Sequence, residues 1–222
     1  MDATVMKLIS EIEASATRGQ QDAAFKRKLR LFLCACCNLI SELVPSVARA
    51  AVKASEQYAD RPSQELRAKL LAAHKDVQSA WRKLDKKVID VADALRAAYF
   101  ASSADIADEQ VNGAIDSAER ATKASGARCN AQAQARLWEE ITAHTFSDRH
   151  LKLEPQKVAL AKDVAAAIHD DYSNNNYEKM LPKLAEALRQ AGCDNDDILN
   201  HCKKREGHVR GCWAVDLVLG KN

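Results

Sequence analysis

Apolar residues recur along most of this chain at spacings of three and four, the period of one face of an α-helix. The clearest run is Leu66, Leu70, Ala73, Val77, Trp81, Leu84, Val88, Val91, Leu95 and Ala98. Its mean spacing is close to 3.6, which predicts a straight amphipathic helix rather than a strict heptad supercoil. Unbroken over 63–102, such a helix would span roughly 60 Å; a break near Asp85-Lys86-Lys87 would halve it. No stretch alternates apolar and polar with the β-branched and aromatic density of a strand. The pattern predicts an all-α, multi-helix bundle.

Three helices are expected first, at 3–16, 21–43 and 46–59. The second begins basic and turns wholly apolar through Leu31, Phe32, Leu33 and the cysteines, and a helix apolar all round is a buried one. Residues 101–146 are alanine-rich, and they predict an antiparallel partner for the long helix, packed through small side chains; an exposed arm is the alternative. After a boundary at 148–153, four helices are expected at 155–170, 178–191, 195–204 and 208–219, with Ser173–Asn176 a turn. Pro45, Pro62, Pro155 and Pro182 each fall near a helix start, where a missing N–H costs nothing. Gly192 and Gly220 suit helix C-caps, and Asp194 suits an N-cap. The organisation read from these elements is 1–60, N-terminal helices packing on the C-terminal ones; 61–147, a long alanine-rich helical hairpin; and 148–222, a compact helical subdomain.

Composition narrows the class. Apolar residues are 47% and charged residues 29% of the 222, which excludes a disordered chain. The longest apolar run, Leu31 to Ile40, is half of what a membrane span needs, and the acidic start lacks the pattern of a secretory signal; a cytoplasmic location is expected. A net charge of +2 from 33 basic and 31 acidic side chains argues against a protein whose task is coating nucleic acid. Seven cysteines, three of them at 34, 36 and 37, fit reduced thiols better than a disulfide framework.

Three segments resemble a family of uncharacterised bacterial helical proteins: Lys28-Leu-Arg-Leu-Phe-Leu-Cys-Ala-Cys-Cys37; Ala51-Val52 with Tyr58-Ala-Asp60; and a tail running from Leu184 through Ala191-Gly-Cys-Asp194, Asp197-Ile-Leu199 and His201-Cys202 to His208-Val-Arg-Gly-Cys-Trp-Ala-Val-Asp-Leu-Val-Leu-Gly-Lys221. They cover about a third of the chain. The resemblance implies a single helical architecture and carries no activity and no catalytic residue with it.

Among candidate chemistries, the tail offers soft nitrogen and sulfur donors: His201, Cys202, His208 and Cys212, with Cys193 and the Cys34–Cys37 group in reserve. His208 and Cys212, four apart on one expected helix face, suit two ligands of a tetrahedral ion such as zinc, although the spacing matches no standard finger. The competing reading is buried structural thiols that pack as small apolar side chains. Arg30, one turn before Cys34, favours a reactive thiolate there, while the apolar surroundings oppose it. Asp216, the lone acid in an apolar helix, needs a partner, with Arg30 the better bet. Asp194, Asp196 and Asp197 lack the spacing of a calcium loop. Lys26, Arg27 and Lys28, and Lys203, Lys204 and Arg205, are basic runs without interleaved aromatics. There is no phosphate loop, HExxH or nucleophile elbow. The expectation is a non-enzymatic helical module that binds another protein, with no cofactor. The alternatives are a zinc- or thiol-dependent protein and a nucleic-acid accessory factor; no membrane association is expected.

Overall fold

A computed structural model describes residues 10, 23–84, 89–106, 108–125, 130–142, 154, 157–172, 177–204 and 207–221. These residues form ten α-helices and no strand, and no helix among them is long and apolar enough to cross a membrane. The expected helix at 3–16 (Ser10 apart), the charged break at 85–87, the boundary at 148–153, Pro155 and the turn at 173–176 lie outside the described residues.

The chain divides into two compact units, Met1–Leu137 and Trp138–Asn222. In the first, α1 (Ala23–Leu39) packs on α2 (Ser46–Asp60), α4 (Ile89–Ala101) and α5 (Asp108–Ser125). Neighbours on several sides explain its unbroken apolar run: Leu31, Phe32, Leu33, Cys34, Cys36 and Cys37 are all buried. Its basic start is absorbed as well. Arg27 donates from Nε and a terminal nitrogen to Asp60 Oδ1 at 3.0 and 2.7 Å, fastening α1 to the end of α2.

The long periodic segment is two helices. α3 (Gln64–Lys83) starts at Ser63, whose hydroxyl accepts from the Leu66 amide at 3.1 Å, and stops where Leu84 turns extended at ψ 138°. The chain then returns as α4. His74 stacks on Tyr99 with ring centroids 4.4 Å apart and Trp81 lies 5.7 Å from the same ring. α4 and α5 run antiparallel, with Phe100 against Gly113 at one end and Asp93 3.2 Å from Arg120 at the other. Ala94, Ala97, Ala98, Ala101, Ala114, Ala118 and Ala121 are buried. A Cβ on Gly113 would lie 2.5 Å from the Phe100 ring, so this position sets the approach.

The partner proposed for Asp216 is corrected. The Arg30 guanidinium is committed within the first unit, to Ser55 Oγ and to the carbonyls of Ser103 and Ala104 at 2.6 and 2.8 Å. It holds two carbonyls of the segment that follows α4, a role that a lone-acid argument does not see.

The second unit holds the end of α6 (Ala131–Thr142), then α7 (Val158–Asp171), α8 (Tyr177–Gln190), α9 (Asp196–Lys203) and α10 (Trp213–Leu219). Its core gathers Ile168, Leu181, Leu184, Leu188, Ile198, Cys202 and Val215. Pro182 lies inside α8 rather than at its start; it falls early enough that the hydrogen bond it forfeits involves a first-turn carbonyl. Gly192 and Gly220 do end helices, through Cys193 N–H to Leu188 O and Lys221 N–H to Asp216 O at 2.9 and 2.8 Å.

Candidate metal centre

Four side chains of the second unit converge: Glu140, His201, His208 and Cys212, with one donor atom from each lying within 4.8 Å of the others. Three stretches of chain deliver them. Glu140 sits on the last turn of α6, beside the buried Leu137, Trp138 and Ile141. His201 sits on α9, whose N-cap is Asn195 and not the expected Asp194: the Asn195 side chain accepts from the amides of Asp197 and Ile198 at 3.0 and 3.4 Å, and Asp196 and Asp197 occupy the first turn, where the helix dipole favours anions.

His208 and Cys212 come from the loop before α10, not from a helix beginning at 208. Gly207 and Gly211 have φ of 91° and 90°, a backbone that glycine adopts freely and other residues resist. These two turns end any helical path and fold His208 back so that its Nε2 reaches Lys204 O at 3.0 Å. Cys212 then serves as the extended residue before α10. The pair meets, with Cys212 Sγ 3.9 Å from His208 Nδ1, by loop geometry instead of helical spacing.

The other contacts are short. Glu140 Oε1 lies 2.9 Å from His208 Nδ1 and 3.3 Å from His201 Nε2. His201 Nε2 lies 3.2 Å from Cys212 Sγ, and the Trp213 indole N–H donates to His201 Nδ1 at 3.2 Å. All but Glu140 are buried, and Glu140 is 13% exposed. Burial alone would raise the Glu140 carboxyl, but hydrogen bonds from His201 and His208, and their charge when protonated, bring it down to about 2. Burial, and then the Glu140 charge, push the Cys212 thiol well above its ordinary range. Tyr172, immediately after α7, buries its hydroxyl with no hydrogen-bond partner among the described residues. Burial first, then the charges of Cys212 and Glu140, raise that phenol.

These distances can be compared with a tetrahedral ion. Metal–nitrogen and metal–oxygen bonds near 2.1 Å and a metal–sulfur bond near 2.3 Å make edges of about 3.4 Å between nitrogen and oxygen and about 3.6 Å between nitrogen and sulfur. The nitrogen–oxygen pairs, 2.9 and 3.3 Å, are shorter than that edge, and the nitrogen–sulfur pairs, 3.2 and 3.9 Å, bracket theirs. His208 also has the outer contact typical of a ligand, its second ring nitrogen donating to a backbone carbonyl.

Of the four residues expected as ligands, His201, His208 and Cys212 stand in the cluster and Cys202 does not. Adjacent helical residues point about 100° apart, so with His201 turned to the centre Cys202 faces the core, its thiol pushed up to about 12 by burial, then by Glu140 and Cys193. Glu140 takes the fourth place. Its only sequence signal is an acid flanking the apolar stripe of a helix, beside Ile141 and three residues after Leu137. Cys193 is buried, and Cys34, Cys36 and Cys37 belong to the first unit, where Cys34 Sγ contacts Val52 O at 3.8 Å. Of the basic runs, Lys26, Lys203 and Lys204 are exposed, Arg27 is ion-paired, Lys28 is fully buried, and Arg205 lies outside the described residues.

No protein-family model matches the chain, and no curated protein or solved structure matches it.

Proposed function

We propose that the protein is a zinc-binding helical protein whose second unit is fastened by a closed site of Glu140, His201, His208 and Cys212. One observation carries the reading: His208 Nδ1 and Glu140 Oε1 approach to 2.9 Å while His208 Nε2 is committed to the Lys204 carbonyl. With its one neutral-state proton on Nε2, the ring presents a lone pair to a carboxylate, so a positive charge must lie between them. A proton on Nδ1 meets that need for this pair alone; a metal ion meets it for all four donors. The set of two imidazoles, a carboxylate and a thiolate neutralises a divalent ion, and its single sulfur and borderline softness favour zinc over calcium or magnesium.

Four protein donors leave no open position for a substrate, the mark of a structural rather than a catalytic zinc. This reading stands ahead of the interaction module expected from composition because the donors converge, whereas the exposed large apolar residues among those described, Ile89 and Leu160, are far apart in sequence and on different helices, and single exposed apolar residues are ordinary on surfaces. The test is elemental analysis of protein prepared without a histidine tag, together with cobalt substitution. The expected result is one zinc per chain, lost in Cys212→Ser, and a tetrahedral cobalt spectrum with a thiolate charge-transfer band. Protein that holds no stoichiometric metal after equilibration with zinc, and gives no such spectrum, refutes it.

A further inference from the structure

Outside the metal centre, three titratable side chains of the second unit form a directional chain. Lys221 Nζ lies 2.8 Å from His169 Nε2, and His169 Nδ1 lies 3.3 Å from Asp170 Oδ1. A lysine ammonium only donates, so Nε2 is the acceptor and the imidazole proton sits on Nδ1, toward the carboxylate. Packing holds the parts in place. α10 lies against α7, His169 is buried in the last turn of α7, and the Lys221 backbone N–H donates to Asp216 O at 2.8 Å. Lys221 itself is only partly buried, which leaves it open to a small reagent.

Other lysines are placed differently. Lys69 and Lys157 set their amines on carboxylates, Glu65 at 2.6 Å and Glu154 at 2.7 Å. A carboxylate keeps the proton on an amine, whereas an imidazole nitrogen that accepts a hydrogen bond can also take a proton. A nucleophile within hydrogen-bond reach of a base, with that base oriented by a third group, is the arrangement of an activated nucleophile.

We propose that Lys221 is an acyl-acceptor site, with His169 as its base and Asp170 orienting the ring, and that its reagent is an acyl thioester. The free amine keeps one N–H on Nε2, and its lone pair attacks the thioester carbonyl carbon. A C–N bond forms, giving a tetrahedral adduct with a positive nitrogen, and Nε2 takes a proton from that nitrogen. The C–S bond then breaks and its electron pair leaves with sulfur. The imidazolium passes the proton to the thiolate, so the products are an Nζ-acyl lysine and a free thiol. An imidazolium is a stronger acid than an ordinary thiol, so the last transfer runs downhill. A thiolate also departs far more readily than an alkoxide, which selects a thioester over an ordinary ester. Neither the reaction nor its readout involves the donors of the metal centre.

The test exposes the native full-length protein to the acetyl thioester of N-acetylcysteamine and follows each lysine by peptide mass spectrometry after quenching. Lys221 is expected to acylate on the order of 100-fold faster than Lys69 and Lys157, the lower end of what a positioned base contributes. His169→Gln keeps an acceptor for the amine but cannot carry a proton. It should bring Lys221 down to the rate of Lys69, with Lys69 and Lys157 unchanged in the same sample. Asp170→Asn, at a position 65% exposed, should slow Lys221 and leave the other two as they were. The proposal is overturned if Lys221 in the parent reacts no faster than Lys69 and Lys157, or if His169→Gln leaves its lead intact. Should His169→Gln fail to fold, the parent rates and Asp170→Asn decide, and an undiminished lead in Asp170→Asn overturns the proposal as well.

Discussion

Replacing Glu140 by glutamine should destabilise the metal-free protein at neutral pH and leave it nearly unaffected in strong acid. The carboxylate is largely buried and accepts from two imidazoles at 2.9 and 3.3 Å, and these contacts, against the cost of burial, bring its pKa from 4.5 to about 2. At about 1.4 kcal/mol per pH unit, that drop corresponds to about 3 kcal/mol. A folded-state pKa below the unfolded one contributes stability that is fully present above the unfolded value, here 4.5, and is lost as pH falls through about 2. The amide isostere keeps the shape and one acceptor oxygen but not the charge. Chelator-treated parent and Glu140→Gln proteins, unfolded in urea at several pH values and followed by circular dichroism, should therefore differ by about 3 kcal/mol at pH 7, with the gap narrowing steadily below pH 4.5. Equal stabilities at pH 7, or a gap that persists unchanged to pH 2.5, would refute the account of this carboxylate as the charged acceptor of the cluster.

Gly113→Ala drives a methyl into the Phe100 ring at 2.5 Å and should cost about 1–3 kcal/mol by overpacking, measured as a lower urea midpoint; Phe100→Leu should recover part of the loss. Leu184→Ala, in the fully buried core of the second unit, should cost about 2–5 kcal/mol, again by urea unfolding. Cys34, Cys36, Cys37, Cys193, Cys202 and Cys212 are buried, so iodoacetamide should label them slowly in the native protein and quickly in urea, with Cys202, raised to about 12, among the slowest; prompt native labelling at Cys202 would contradict its placement. Stripping zinc with a chelator should lower amide-exchange protection in α9 and α10 while leaving α1 unchanged, as read by mass spectrometry.

Periodicity carried the architecture because helices depend on local spacing. The apolar run of α1, the 3.6-residue period of α3 and the glycine stops after α8 and α10 are all properties of neighbours along the chain. The centre depends on which side chains a fold brings together, and there local rules misplaced residues. His201 and Cys202 looked equivalent as donors, but successive helical positions cannot face the same point. His208 and Cys212 looked like a helical pair, but Gly207 and Gly211 fold a loop that produces the same encounter. Glu140, some 60 residues from the nearest other donor, had no local signature beyond an acid at the margin of an apolar stripe. Arg30 is matched to Asp216 on charge alone, whereas the carbonyls of Ser103 and Ala104, just after α4, claim it; such acceptors belong to the backbone and leave no mark on side-chain spacing.

The position of the centre follows from what the second unit lacks. α9 and α10 are eight and seven residues long, below the length at which a helix holds itself together in water, and the segment between them contains two glycines in left-handed conformations. Packing on α7 and α8 supplies the apolar part of their stability. A bridge from Glu140 to His201 closes a stretch of about 60 residues, and by the chain-entropy measure used for covalent cross-links a closure of that length is worth about 4 kcal/mol. The other two donors, His208 and Cys212, lie in the segment that leads into α10. A metal ion held by these four donors would therefore act twice, once by joining α6 to α9 and once by fixing the position of His208 and Cys212 ahead of α10.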